Sequence, residues 1–350
     1  MKKALRAAFA AAVGAGVVLA SGWAHAADKP VRWKMASAYN RTLAISGPMG
    51  LFFIDEVKKA SDGTMRIQYF EPGALVPTNE IFNAVSTGAV DAGWASPGFW
   101  TGHGDEFAIF SGVPFGPAGT EMLTWLYRGG GQEMMDKTYA RFNIKSLPCV
   151  MLSPEAGGWF NKEVKTTADL RGLKMRFFGL GAKVVEKYGV STQLLGVPDI
   201  YPALERGTID ATELSVPAID YSIGLYQVAK YYYFPGWQQP STVLEFMVNL
   251  DRWKALSDRQ RQIIELSCRS TMAESIADSE SAQAKAVRDI EAKGVQIRSF
   301  SPELIETFRK GWTEVVDDLN AKDPEFAEVW KSLAAFRADY AQWRKINAIE

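Results

Sequence analysis

The chain has 350 residues, with 39 Lys and Arg against 40 Asp and Glu, and 47% of it is hydrophobic. This near-neutral balance offers no basic face for nucleic acid and no polybasic membrane patch. Its two histidines, His25 and His103, are too few for a histidine-rich metal site or a catalytic dyad, the more so if His25 is removed with a leader.

The first residues read as an export signal. Lys2, Lys3 and Arg6 precede an apolar run from Ala7 to Leu19, and Ala24-His25-Ala26 supplies small residues at a cleavage site. The run is shorter than the roughly 20 residues a membrane span needs. Residues 1–26 are therefore expected to leave as a signal peptide, and the mature protein to be exported and soluble. Cleavage would leave 324 residues with 36 basic and 40 acidic side chains. That is more chain than one core usually carries, so two domains are expected.

After the leader, strand and helix alternate. Val31 to Ala36 reads as a strand ending in a polar turn at Ser37 to Arg41. A helix over about Gly47 to Ser61 follows, closed by Asp62-Gly63, and Met65 to Phe70 alternates with period two as a second strand. The pattern predicts an α/β fold with largely parallel sheets.

An internal repeat divides the chain. Residues 80–92 and 199–211 share acid-Ile-aromatic-x-Ala-apolar-x-x-Gly-x-apolar-Asp-Ala. In each copy the apolar residues fall on one helical face, Gly88 or Gly207 ends the helix in a left-handed conformation, and Val90 or Ile209 begins a short strand. Copies 119 residues apart cannot stack as a solenoid, so one per lobe is expected. Ligands of open α/β sheets bind beyond the carboxyl ends of strands. There the first copy leads into Gly93-Trp94-Ala95-Ser96-Pro97-Gly98-Phe99-Trp100, and the second into Thr212-Glu213-Leu214-Ser215-Val216-Pro217. An aromatic segment and an acidic one should thus face each other across a cleft.

Cys149 sits in the apolar strand Leu147 to Leu152 and Cys268 in the helical stretch Gln260 to Ser270. An oxidising compartment permits a bridge. Because both lie inside regular elements, two separate buried thiols are expected. Residues 251–294 read as long amphipathic helices, 295–298 as a brief strand, and Ser301-Pro302 as the cap and first turn of another helix. The tail, with Trp330, Phe336, Tyr340 and Trp343, reads as helical and as core or a dimer face.

Several stretches together resemble the extracytoplasmic solute receptors of tripartite ATP-independent periplasmic (TRAP) transporters, the DctP-like family, on the branch that binds pyruvate and related 2-oxo acids. They are Phe70-Glu71-Pro72-Gly73-Ala74-Leu75-Val76-Pro77, Gly157 to Glu163, Asp169-Leu170-Arg171-Gly172-Leu173-Lys174-Met175-Arg176, Asp199 to Gly207, Tyr231 to Trp237, and Ala335 to Asp339. The resemblance implies a periplasmic, two-lobed binding protein with a central interlobe cleft and long C-terminal helices. Lobe I is expected over 27–149 plus about 243–275, lobe II over 150–242 plus about 276–325, and a helical tail over 326–350. The implied partners are a small carboxylate and the membrane permease subunits, with a homodimer possible.

Arg176 ends its strand pointing away from the packed face of Met175. A guanidinium presents a planar fork that matches a carboxylate and stays charged. By residue type alone it could equally be a structural ion pair, and the resemblance makes it the carboxylate clamp. The resemblance further implies a cation, Na⁺ or Ca²⁺, held by Glu213, the Leu214 carbonyl and Gln239, oxygen donors that suit a hard ion. Without it, Glu213 reads as a solvated carboxylate at a loop rim. The chain departs from the branch pattern in three places: Glu155 stands for glutamine, Gln239 for glutamate and Leu214 for tryptophan. Glu155 is therefore expected either to join the cation or to face a polar group of a different ligand. Phe99, Trp100 and Trp237 are expected as apolar cleft walls.

An enzyme is the rival class, with Glu155 and Glu213 as paired acid and base. Arg176 and a neighbouring cation would hold both carboxyls ionised, which suits binding over proton transfer. The sequence contains no Gly-x-Ser-x-Gly and no phosphate loop. No enzyme is expected, and an ABC-type binding protein is the remaining alternative.

Overall fold

The structure is a computed structural model that describes residues 28–346; the proposed leader, 1–26, lies outside the described residues. Its strands are β1 (Val31–Ser37), β2 (Met65–Phe70), β3 (Ala92–Ala95), β4 (Ile144–Leu152), β5 (Gly158–Phe160), β6 (Lys174–Arg176), β7 (Ser191–Gln193), β8 (Ala211–Thr212), β9 (Tyr231–Phe234), β10 (Thr242–Asn249) and β11 (Gln296–Ser299). They form two sheets, ordered β2-β1-β3-β10-β4 and β11-β9-β5-β8-β6-β7. Each sheet is the floor of one lobe.

The alternation read from the sequence appears directly. In β1, Val31, Trp33 and Met35 are buried while Arg32 and Lys34 are exposed. The repeat holds in both lobes: Ile81–Ser86 and Val197–Glu205 are helices, and Gly88 (φ 76°) and Gly207 (φ 69°) turn the chain left-handed after them. The strands begin two residues later than expected, at Ala92 and Ala211. Ser301 caps the helix Pro302–Lys322, its hydroxyl accepting from the Leu304 N–H at 3.2 Å.

Both sheets are mixed, more so than the largely parallel arrangement expected. β10 runs antiparallel to β3 and β4, and β5 runs antiparallel to β8 and β9. The reason is the double crossing between lobes. The chain leaves the first sheet after Leu152, enters the second at Gly158, and returns from Phe234 to Thr242. A strand arriving from the other lobe starts at the cleft edge, where β1, β3, β6 and β8 end, so it must run against them. All these strand ends converge on one cleft.

A 35-residue helix, Asp258–Ala292, packs along β4 and on the short helix Pro217–Ser222, so it touches both lobes. Its polar side chains satisfy backbone groups of the crossing: Ser275 Oγ and Ser279 Oγ accept from Met151 N–H (3.0 Å) and Ser153 N–H (2.9 Å), and Gln283 accepts from Ala218 N–H (3.0 Å). The cysteine expectation is corrected here. Cys149 and Cys268 form a disulfide, because the helix crosses β4 with the two Cα atoms 4.3 Å apart. Lying inside regular elements does not separate residues whose elements pack face to face.

The tail forms the helix Pro324–Ile346. Phe326, Val329 and Leu333 are buried, and Arg337 pairs with buried Glu121 at 3.0 Å, which ties the helix to lobe I. Trp330 meets Trp312 edge-on at 5.6 Å, whereas Trp343 and Ile346 are exposed. No described helix is long and apolar enough to cross a membrane.

Candidate ligand-binding site

A small cavity lies in the cleft between the lobes. Lobe I contributes Tyr39 after β1, Ser96 and Phe99 after β3, and Thr242 and Leu244 of β10; lobe II contributes Arg176, Phe178, Leu214 and Ser215. Glu155, on the crossing segment, joins them. The lobes touch across its mouth. Phe99 meets Phe178 edge-on at 4.9 Å, and Lys183 pairs with Asp105 at 3.2 Å. Gly98 is needed at this contact, since a Cβ there would lie 2.5 Å from the Phe178 ring.

Arg176 is the last residue of β6 and pairs in register with Thr212, the last of β8, which places Glu213 beside it. The Arg176 guanidinium is buried. Its Nη1 donates to the Glu213 carbonyl and to Glu213 Oε2 (3.1 Å), and its Nε to the Leu195 carbonyl (3.4 Å). Phe178 N–H also donates to Glu213 Oε2, at 3.1 Å. Arg176 is thus both in an ion pair and on the wall of the interlobe cavity, so the two readings of its residue type are not exclusive. Among the described residues Nη2 has no partner, which leaves it for a ligand.

A second chain of bonds approaches from the crossing. Gln239 Nε2 donates to Thr242 Oγ1 (2.8 Å), and Thr242 Oγ1 donates to Glu155 Oε1 (2.6 Å). The backbone is braced there too, Glu155 N–H donating to the Gln239 carbonyl at 3.1 Å. Burial, and then the negative charge of Glu213, push the Glu155 carboxyl well above the usual carboxylate range. Asp220 lies in the same electrostatic neighbourhood. Its Oδ2 accepts from Trp159 Nε1 and Tyr232 Oη, both at 2.8 Å, yet burial still raises its carboxyl to about 7.

The buried oxygens left over are the most informative feature. Glu155 Oε2, Glu213 Oε1, Gln239 Oε1, Gln238 Oε1 and Asp220 Oδ1 are all buried and without a donor. A buried acceptor left unpaired costs roughly 1–3 kcal/mol, more when charged. Five on connected segments mark a place built for something that brings positive charge or donors. The described residues hold no group of three His, Cys, Asp or Glu side chains near enough for a metal. A cation here would therefore need the mixed set of carboxylate, amide and main-chain oxygens.

Residues 45–323 match the model of the bacterial extracellular solute-binding protein family 7, DctP. The chain belongs to this family. Three relatives place it further. It is 32% identical over 324 residues to the monocarboxylate 2-oxoacid-binding periplasmic protein of Nostoc sp., covering 91% of this chain and 87% of that one. A TRAP transporter solute-binding protein from Bordetella bronchiseptica, a mixed-occupancy dimer with copurified calcium and picolinate in one site and the other apo, superposes with a TM-score of 0.89. It shares 32% identity over 91% of this chain and 95% of its own. A TRAP periplasmic solute-binding protein from Pseudoalteromonas atlantica, with bound sodium and pyruvate, superposes with a TM-score of 0.87 at 31% identity, over 91% and 97% of the two chains. The two-lobed α/β fold and the receptor class follow, and this is a binding family, not an enzyme family.

In this DctP-family chain, Arg176, Glu155, Phe99 and Leu214 line the cavity. Glu213 and Gln239 stand behind them, joined through Arg176 and Thr242. Two expected wall residues do not reach it. Trp100 turns into the lobe I core, donating to Glu245 at 2.6 Å and packing on Phe82. Trp237 stacks on Phe308 at 4.5 Å and faces a separate groove with Phe115, Pro154 and Arg309. His103 packs on Phe82 in lobe I and takes no part. Sequence reasoning missed Tyr39, Phe178, Thr242 and Asp220. Asp220 carried a faint signal, an acid in the otherwise apolar opening Pro217-Ala218-Ile219 of a short helix.

Proposed function

We propose that this chain is the periplasmic receptor of a TRAP transporter, that it captures a small monocarboxylate of the 2-oxo acid type such as pyruvate, and that it delivers the ligand to the membrane permease. The observation that carries this is the cavity itself, where a partly free guanidinium and Glu155, with one donor-less oxygen, share a buried, apolar-walled space, and further donor-less oxygens of Glu213 and Gln239 stand behind it. Arg176 Nη2 binds the ligand carboxylate, and Glu213 keeps the guanidinium aimed by holding Nη1. Phe99, Phe178 and Leu214 exclude water around the ligand's carbon end. Leu214, in place of a larger side chain, leaves that end roomier.

The unpaired oxygens fit a hard cation, which Glu213, Gln239 and the Leu214 carbonyl would hold, with Glu155 as a further donor. When bound, a Na⁺ or Ca²⁺ ion supplies positive charge for the ligand's oxygens. The lobe limits at 27–149 plus about 243–275, and 150–242 plus about 276–325, are part of the same reading. The crossings at residues 153–157 and 235–241 support this division but move its limits, since Val150 to Leu152 and Thr242 belong to strands of the first sheet. The removed leader also belongs to this reading, as does a dimer, toward which exposed Trp343 and Ile346 on the tail point.

The test is calorimetry with pyruvate on Arg176→Ala. Loss of a charge-assisted, buried carboxylate contact should weaken binding by roughly a thousandfold or more. Near-native affinity in a folded variant removes the reading. The ABC-type and hydrolase alternatives have no supporting observation.

A further inference from the structure

We propose that the groove faced by Trp237 is a second ligand site, which takes an amphipathic carboxylate on Arg309 and is coupled to the interlobe cavity through the crossing segment at Glu155.

The first argument is shape and surface. The groove is larger than the interlobe cavity and is walled by both crossings, the helix Asp258–Ala292 and the helix Pro302–Lys322. Phe115, Phe234, Val287 and Ile305 line it half-buried, and Pro154 and Pro235 line it exposed. Apolar surface gathered in one concave place, instead of scattered singly, marks a binding site. Walls on several sides suit a small molecule, where a protein partner needs a broader face.

The second argument is charge. Arg309 lies over the Phe115 ring, 4.1 Å from its centroid, and this stacking keeps the guanidinium at the groove. Among the described residues its N–H groups make no hydrogen bond, and the Glu306 carboxylate, 3.7 Å from Nε, is exposed. A planar fork with its donors unspent beside an apolar wall matches a carboxylate carried on a hydrocarbon body. Gln283 does not compete, since its Oε1 accepts from Ala218 N–H and its Nε2 donates to the Ser279 carbonyl. Glu280, on the rim, is exposed and also lines the adjacent groove beside Ala118 and Ile276, where water and salt screen it.

The third argument is position. Glu155 lines the groove as well as the interlobe cavity, so one short segment is a wall of both. That segment is tied to the other crossing: Glu155 N–H donates to the Gln239 carbonyl at 3.1 Å, and Gly157 N–H to the Tyr233 carbonyl at 2.8 Å. Lobe closure displaces the segments that join the lobes. An occupant of the groove and a ligand in the cavity therefore bias the same hinge.

The experiment uses the mature chain and calorimetry, with potassium octanoate below its micelle-forming concentration as the probe. Octanoate should bind saturably, and equally well in Arg176→Ala, which separates the groove from the cleft and from the outcome of the carboxylate reading there. Octylamine should bind at least about tenfold more weakly, because its charge has the sign of Arg309. Arg309→Gln should weaken octanoate binding about tenfold. Ala284→Trp, which fills the groove from an exposed helical position, should weaken it by about a hundredfold. Pyruvate affinity at saturating octanoate should change at least about threefold, with the reciprocal change in octanoate affinity. The site is overturned by an absence of saturable octanoate binding, by equal binding of octylamine, or by octanoate binding that is lost in Arg176→Ala and kept in Arg309→Gln and Ala284→Trp. An unchanged pyruvate affinity overturns the coupling.

Discussion

Two sets of buried acids in this chain have opposite surroundings. Glu245, in the lobe I sheet, is completely partnered: Trp100 Nε1 donates to Oε1 and Ser146 Oγ to Oε2. Glu155, Glu213 and Asp220, at the cleft, are equally buried, but each leaves one oxygen without a donor. Burial alone raises carboxyls of both kinds, Glu245 and Asp220 alike to about 7. What separates a scaffold acid from a binding acid is the unfilled half of its hydrogen-bonding capacity.

The sharpest way to break this contrast is a matched pair of amide variants. Glu213→Gln should weaken carboxylate binding by roughly a hundredfold or more, since it removes the counter-charge that aims Arg176. Glu245→Gln should leave affinity within about twofold, because its contacts lie inside one lobe. Calorimetry on both variants decides, and equal losses would erase the distinction.

Stability against pH gives a second contrast. The folded Glu245 carboxyl titrates near 7, above the ordinary 4.5, so folding favours its protonated form. Its contribution is present below about pH 4.5 and lost as pH rises to about 7, on the order of 3 kcal/mol. Urea unfolding of Glu245→Gln at pH 5 and pH 8 should show a shallower decline than the unaltered protein. An identical decline would assign the pH dependence to the cleft acids instead.

The smallest expected effect tests closure. Gly98→Val puts methyl groups against the Phe178 ring. Overpacking of this kind costs about 1–3 kcal/mol, so binding should fall by roughly ten- to a hundredfold. The denaturation midpoint should stay unchanged, because the clash exists only when the lobes meet. A shifted midpoint with normal affinity would mean that Gly98 serves lobe I alone.

Much of the architecture was legible. Alternation in Val31 to Met35, the paired Gly88 and Gly207, and Ser301 ahead of Pro302 are local signals, and local physics honours them. Arg176 could be placed at a strand end for the same reason. The direction of Trp100 and Trp237 could not, because periodicity gives a side chain's face without naming the neighbour that face meets. The Cys149–Cys268 bridge failed for that reason too, its partners being 119 residues apart.

By itself, then, the sequence determined the devices: two helix-glycine-strand units, an aromatic segment after one, an acidic segment after the other, and an arginine ending a strand. These depend on neighbours within a few residues, where sterics and capping act. Only the tertiary structure decided which acid lines the cavity, which stand behind it, and which of their oxygens go without a donor. Those outcomes depend on two chain crossings and a long helix bringing distant segments together, and no pattern along the chain records that distance.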